Sequence, residues 1–456
     1  MNPHTPPAPA VWAMVALLSG CATYRPAPID PSHILEGLEA IDWDMSRTGL
    51  PAHDDTHDPV PTVGPRELAA FAVSANPTLA AVRAEIGVQQ ALLVEAGLLP
   101  DPELGWDAMG VLASQLVTGT SSSVDALSGL ELMFPLLRPG ERDARVGVAE
   151  SRLEEARHLI AAAEWSLTLD VHVAYEEVRG AEVLLAQTHA LTELAESTAA
   201  YFRRAREVGA ATAIQANLAL GELQAIRLDG VRAKGRLHEA RQDLNALLGL
   251  PPAAVLELGG RGNVADFAQL ERGPETLTAH AVGSRPDLAL LLARYQLAED
   301  EVRLAVSQQF PALSVGTGLS LSLPIFSKFG RPGIQTALER RERLGQEFTA
   351  AVHTARQQIA AAHLLWKLAG DELELIEGEL LPNAEQNLEL SKEAFQAGEV
   401  TLLETLALQR ALVEARTRHT DARTERSKHA WTLLAASGWL LDTPTTNESN
   451  TEEDSR

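Results

Sequence analysis

Two imidazoles and three carboxylates fall within one short stretch, His53-Asp54-Asp55-Thr56-His57-Asp58. Such a mixture of nitrogen and oxygen donors suits a borderline divalent metal, with His53, Asp55, His57 and Asp58 as the candidate ligands. The stretch lies in linker-like sequence where nothing holds ligand geometry, so a solvated polar segment is the better reading and no resident metal or cofactor is expected. Other chemistries lack their residues. The chain has one cysteine, Cys21, which excludes an internal disulfide framework and a cysteine zinc site. No GxSxG, HExxH or Walker A pattern occurs, and Gly259-Gly260-Arg261-Gly262-Asn263 lacks the strand-to-helix setting of a dinucleotide loop. The protein is not expected to be an enzyme.

Cys21 has a specific setting. Val11 to Leu18 form an apolar run too short to span a bilayer, and Leu18-Ser19-Gly20-Cys21 follows with small residues at the cut site. This resembles a bacterial lipoprotein signal, although the segment before the run carries His4 and no Lys or Arg. The resemblance implies removal of residues 1–20, a covalent lipid on Cys21 and, with Ala22 after it, delivery to the outer membrane. A formal charge of -24 argues against binding nucleic acid and favours cations.

The elements that would carry any function are long helices. Composition is 45% apolar and 4% aromatic, which suits rods packed through Ala, Leu and Val. From about Asp143 to Glu207 one apolar seam runs through Val146, Ala149, Leu153, Ala156, Ile160, Ala163, Leu167, Val171, Ala174, Val178, Ala181 and Leu185. Its steps alternate between three and four with one extra step of four, so the spacing predicts a coiled-coil rod. Gly209 breaks it, and a return helix is expected from about Thr212 to Leu248, closed by Gly249 and Pro251-Pro252.

The whole pattern is then written again. Pro77, Leu79, Ala96, Pro102 and Leu104 recur at one constant offset as Pro286, Leu288, Ala305, Pro311 and Leu313. Pro135, Gly209 and Gly249 recur at a second, smaller offset as Pro324, Gly398 and Gly438. The reading is therefore a duplication. The expected divisions are a signal at 1–20, an extended lipid-anchored arm at 21–65, a first repeat at 66–250 and an equatorial linker at 251–274. A second repeat at 275–439 and a disordered acidic tail at 440–456 complete it. The first repeat holds a β hairpin at about 104–137 and long helices at about 143–249, while the second holds a short β segment at about 312–326.

This order, carried by "NPTLAAVRAEIGVQQALLVEAGLLPDPEL", "RPDLALLLARYQLAEDEVRLAVSQQFPAL", "LSLPIFSKFGRPG", "REVGAATAIQANLALGELQ" and "FQAGEVTLLETLALQRALVEA", resembles the TolC-like outer-membrane efflux protein family. The implied fold is mainly α, with internally duplicated antiparallel coiled-coil hairpins forming a trimeric α-barrel, plus a small and abridged β region. The implied partners are two further copies of the chain, a periplasmic adaptor, an inner-membrane pump and outer-membrane lipid, with no nucleic acid. Val208-Gly209-Ala210 and Ala397-Gly398-Glu399 fall where the family places its adaptor-contacting tips. Glu404 falls in the register of the acidic periplasmic aperture, and Gln215 holds the equivalent position in the first repeat. Seams of this kind cannot all be covered within one chain, and bundling with sister chains would cover them.

One departure qualifies the function. Pro102 to Pro135 leaves room for two strands of membrane-crossing length, whereas Pro311 to Pro324 does not, since each crossing takes about 9–11 residues. The expectation is a channel subunit of a tripartite efflux or type I secretion system, lipid-anchored with its body in the periplasm. The alternative is a lipid-anchored periplasmic conduit or scaffold of the same fold that does not fully span the outer membrane.

Overall fold

The computed structural model describes residues 24–41, 63–106, 130–259, 269–316, 319–323, 325–326, 328–397 and 399–440. The signal segment, Cys21, the His53–Asp58 cluster, Gly398 and residues 441–456 lie outside them. Two compact units are present, Met1–Ile41 and Asp42–Arg456. The first holds α1 (Pro31–Glu39), started by Asp30, whose carboxylate accepts from the Ser32 N–H at 3.0 Å. Its Ile34, Leu35 and Leu38 are exposed.

The second unit opens with α2 (Pro65–Ala75) and α3 (Pro77–Ala96). Continuous helical periodicity from Arg66 to Leu98 is broken at Asn76, because Pro77 forces the residue before it out of the helical region. Asn76 caps α3 by accepting from the Leu79 N–H at 3.0 Å and donates to the Leu247 carbonyl at 2.8 Å. After β1 (Glu103–Trp106) and β2 (Leu130–Leu136) comes α4 (Glu141–Glu207), whose 67 residues reach on the order of 100 Å. The return helix is α5 (Ala213–Leu248).

The second repeat begins with α6 (Pro274–Ser284) and α7 (Pro286–Ser307), split at Arg285–Pro286 for the same reason as the first pair. Arg285 is buried and donates to the Ala436 carbonyl at 3.1 Å, the counterpart of the Asn76 bond to Leu247. The strands β3 (Ala312–Gly316) and β4 (Leu319–Ser322) follow. The second rod is α8 (Arg331–Leu375), a π-helical turn (Ile376–Leu380) and α9 (Leu381–Ala397), with α10 (Leu402–Ser437) returning. Both return helices end on left-handed glycines, Gly249 at φ 71° and Gly438 at φ 82°. Each packs on the break between the first two helices of its repeat: a methyl group on Gly249 would stand 3.0 Å from the Ala75 carbonyl oxygen.

The four strands form one antiparallel sheet in the order β1-β2-β3-β4. The two hairpins meet through β2 and β3, with Phe134 opposite Val315 and Leu136 opposite Leu313. The rods meet in the same way, since α4 packs along α7 and α10 of the other repeat as well as α3 and α5 of its own. The seam is realised in part within one chain: Ala149, Leu153, Ala156, Ile160, Val171, Ala174 and Val178 are buried, and the remainder are half-covered. A core at the middle of the unit gathers Leu277, Ile359, Ala362, Trp431, Leu433 and Leu434, with Trp165, Trp366 and Trp439 packed against it. Among the described residues no helix is long and apolar enough to cross a membrane.

Candidate functional site

The two rod tips and the first turns of the return helices contain every described residue that the sequence singles out for adaptor contact or for the aperture. At the first tip α4 ends with the Val208 N–H on the Arg204 carbonyl at 3.3 Å, and Gly209 turns the chain at φ 75°. The Ala210 N–H then closes onto the Ala205 carbonyl at 2.7 Å. Val208, Gly209 and Ala210 are all exposed. At the second tip the Glu399 N–H returns to the Ala394 carbonyl at 2.9 Å, and Ala397 and Glu399 are exposed.

Each return helix starts with the same reciprocal cap. Thr212 accepts from the Gln215 N–H at 3.2 Å while Gln215 Oε1 accepts from the Thr212 N–H at 2.8 Å. Thr401 and Glu404 repeat the arrangement, with Glu404 Oε2 accepting the Thr401 N–H at 2.8 Å and its hydroxyl at 2.7 Å. These bonds, the backbone one foremost, lower the Glu404 pKa and hold an exposed negative charge at the tip. The two aperture candidates are therefore also the two capping residues. Any lining role is exercised by side chains already folded back onto their own helix ends.

Two features near the tips are not legible in the sequence. Phe202, Ala219, Leu402 and Leu406 form a buried cluster joined by Phe395, so the tips of both hairpins share one small core. Higher up, Arg410 on α10 reaches across to Glu222 on α5, Nε to Oε2 at 2.6 Å, with the glutamate side chain 4% exposed. Glu222 interrupts a pattern of Ala219, Leu223 and Ile226, a sign of a polar group on a packed face, but the identity of its partner is not written locally. The candidate metal ligands His53, Asp55, His57 and Asp58, and the lipidation candidate Cys21, lie outside the described residues.

Comparison with known proteins matches this architecture. The sequence pattern described as "Outer membrane efflux protein" matches residues 70–250 and 314–439. The "Cobalt-zinc-cadmium resistance protein CzcC" of Cupriavidus metallidurans is 24% identical over 393 residues, covering 81% of this chain and 90% of its own. The "Pyoverdine export outer membrane protein OpmQ" of Pseudomonas aeruginosa is 27% identical over 472 residues, covering 93% of this chain and 96% of its own. Crystal structures of CusC share the fold with a TM-score of 0.67 at 16% identity, over 87% of this chain and 99% of that one. CusC of Escherichia coli bears the name "Cation efflux system protein". With both repeats matched over more than half of the chain, and with doubled hairpins seated on one short sheet, this chain belongs to the outer membrane efflux protein family.

Proposed function

We propose that the chain is the outer-membrane channel subunit of a tripartite efflux system, working as a trimer with a periplasmic adaptor and an inner-membrane pump. The observation that carries this reading is the pair of rods whose apolar faces one chain leaves uncovered. Ile214, Leu228 and Val231 on α5 and Leu364, Leu365, Leu368 and Leu375 on α8 are exposed, and a ring of copies would cover them. In that ring the lipid on Cys21 attaches the body to the outer membrane. Val208, Gly209, Ala210, Ala397, Gly398 and Glu399 meet the adaptor, and Glu404 with Gln215 lines the aperture. Transport here needs no covalent chemistry from the chain, which acts by shape and charge.

Cations are the cargo class to test first. One relative is named for cobalt-zinc-cadmium resistance and another for cation efflux, and the net charge of -24 favours positive solutes. Deleting the gene is expected to lower tolerance to cobalt, zinc or cadmium salts, with recovery on complementation. Unchanged tolerance to these ions together with lost export of an organic solute would replace the cargo class. Unchanged export of both would overturn the efflux reading.

A second reading has its own observation. The strands β3 and β4 have 5 and 4 residues, well below the 9–11 or so that a membrane crossing takes. A conduit anchored by lipid and only partly inserted accounts for strands of that length. Conductance across a planar bilayer separates the two, since a stable open pore requires a barrel that crosses.

A further inference from the structure

The two rod tips are folded alike and charged oppositely. The Ala210 N–H closes on the Ala205 carbonyl at one tip and the Glu399 N–H on the Ala394 carbonyl at the other, the same bond at equivalent positions of the two repeats. Between Glu196 and Glu222 the first tip carries Arg203, Arg204 and Arg206 against Glu207. It is a basic point on a chain whose formal charge is -24. At the second tip Glu389, Glu393, Glu399 and Glu404 stand against Lys392. Glu393, Glu399 and Glu404 occupy the positions that the first repeat fills with Arg204, Ala210 and Gln215.

Local stability accounts for only one of these patterns. A helix ends in partial negative charge, so Arg204 and Arg206 in the last turn of α4 are favourable there, whereas Glu399 just beyond α9 is not. Ala210 makes the same turn without a carboxylate, so the backbone does not require one. Nor does the chain use these charges itself. Elsewhere on the rods Arg227, Arg410 and Arg416 each reach a glutamate on another helix. At the tips Arg203, Arg206, Glu393 and Glu399 are exposed and form no ion pair among the described residues. Each tip also presents an exposed apolar residue at the equivalent position, Ile214 on the first and Leu403 on the second. An apolar centre with a charged rim is the make-up of a protein contact site.

The sign of each rim gives the chemistry of what it meets. Resting on the adaptor reading above, we infer that the two tips read opposite charges on the adaptor: Arg203 and Arg206 take its carboxylates at the first tip, and Glu393 and Glu399 take its Arg or Lys side chains at the second. Ile214 and Leu403 supply the apolar centre of each contact. A sister chain covers the sides of the rods, whereas Arg206 and Glu399 lie at their ends, beyond the core that Phe202 and Phe395 share. In the proposed trimer the two kinds of tip alternate around the ring. An adaptor hairpin shifted by one tip then meets like charge, and that repulsion fixes which tip it occupies.

The test uses the full chain in its own host, with benzoylphenylalanine in place of Val208 or of Ala397 as the photoreactive probe of each tip. Irradiated cells are expected to give an adduct with the adaptor at both positions, and mass spectrometry locates the linked adaptor residues. Arg203→Glu with Arg206→Glu is expected to lower the adduct at position 208 about tenfold and to change that at 397 little; Glu393→Arg with Glu399→Arg is expected to do the reverse. The second pair improves the charge at its helix end, so a folding defect does not account for its effect. Reversing the opposite charge on the adaptor beside each link is expected to restore the adduct at that tip alone. Loss of the trimer on either reversal, read by native mass spectrometry of protein purified without the adaptor, assigns the charges to a sister chain and overturns the inference. If the parent forms both adducts and the reversals leave them at full strength, the charge reading fails alone; if the parent forms neither, the adaptor reading fails with it.

Discussion

His172 lies in the mid-rod core with its ring 4.0 Å from Trp431, and its Nδ1 is 2.6 Å from the Thr168 carbonyl, to which the neutral ring donates. Burial, aided by the Arg66 charge and opposed by that hydrogen bond, takes its pKa down to about 4. The unfolded chain holds this proton more tightly, so the stability that His172 contributes is complete above about pH 6.5 and is lost as pH falls toward 4. The full amount is about 3 kcal/mol. Melting temperatures recorded across that window should fall for the parent and fall less for His172→Gln; equal slopes would place the acid sensitivity elsewhere. Gly438 permits a second test, because a methyl group there would stand 2.1 Å from Ser284 Oγ on a backbone at φ 82°. Gly438→Ala is expected to cost about 1–3 kcal/mol in urea unfolding.

Among the elements, the return helices separate two roles that one residue combines. Glu404 closes a capping box and, in the proposed aperture, would supply charge, while Gln215 closes the equivalent box without charge. Glu404→Gln should therefore leave thermal stability nearly unchanged while reducing the cation preference of the reconstituted pore. Thr401→Ala should cost about 1 kcal/mol through loss of the cap. A large loss of stability in the first variant, or unaltered selectivity, would remove Glu404 from the aperture. The rods carry a contrast of another kind. Both span the same chain length, yet the second contains a π-helical turn at Ile376–Leu380 and the first does not. The helix breaks at Pro77 and Pro286 were open to reading from the residues themselves, because proline acts on its immediate neighbour. The π turn is marked in the same way, since Gly378 lies within it and Pro382, just beyond its end, has no N–H for the Gly378 carbonyl and crowds it; His419 on α10 meets Glu377 there at 2.9 Å.

At the scale of the molecule, the uncovered faces of α5 and α8 call for further copies of the chain. Leu364→Glu with Leu368→Glu should shift the detergent-purified protein from trimer to monomer in native mass spectrometry; a trimer that survives both charges would move the interface elsewhere. The Glu222–Arg410 pair clasps the two hairpins to each other, so Arg410→Ala, which leaves a buried carboxylate without its cation, should cost about 1–3 kcal/mol and Glu222→Gln less. The duplication, the long hairpins, their glycine reversals and the scarcity of strand-forming residues in the second repeat were all present in the residue order. Each is a local property, expressed as periodicity, as a backbone preference or as a count of residues between prolines. The merging of both hairpins into one sheet through β2 and β3, the shared core of Phe202 and Phe395 and the clasp between residues 188 positions apart were not. These depend on which distant surfaces meet once the repeats fold against each other, and a repeated sequence carries no local mark of whether a copy packs on itself or on its twin.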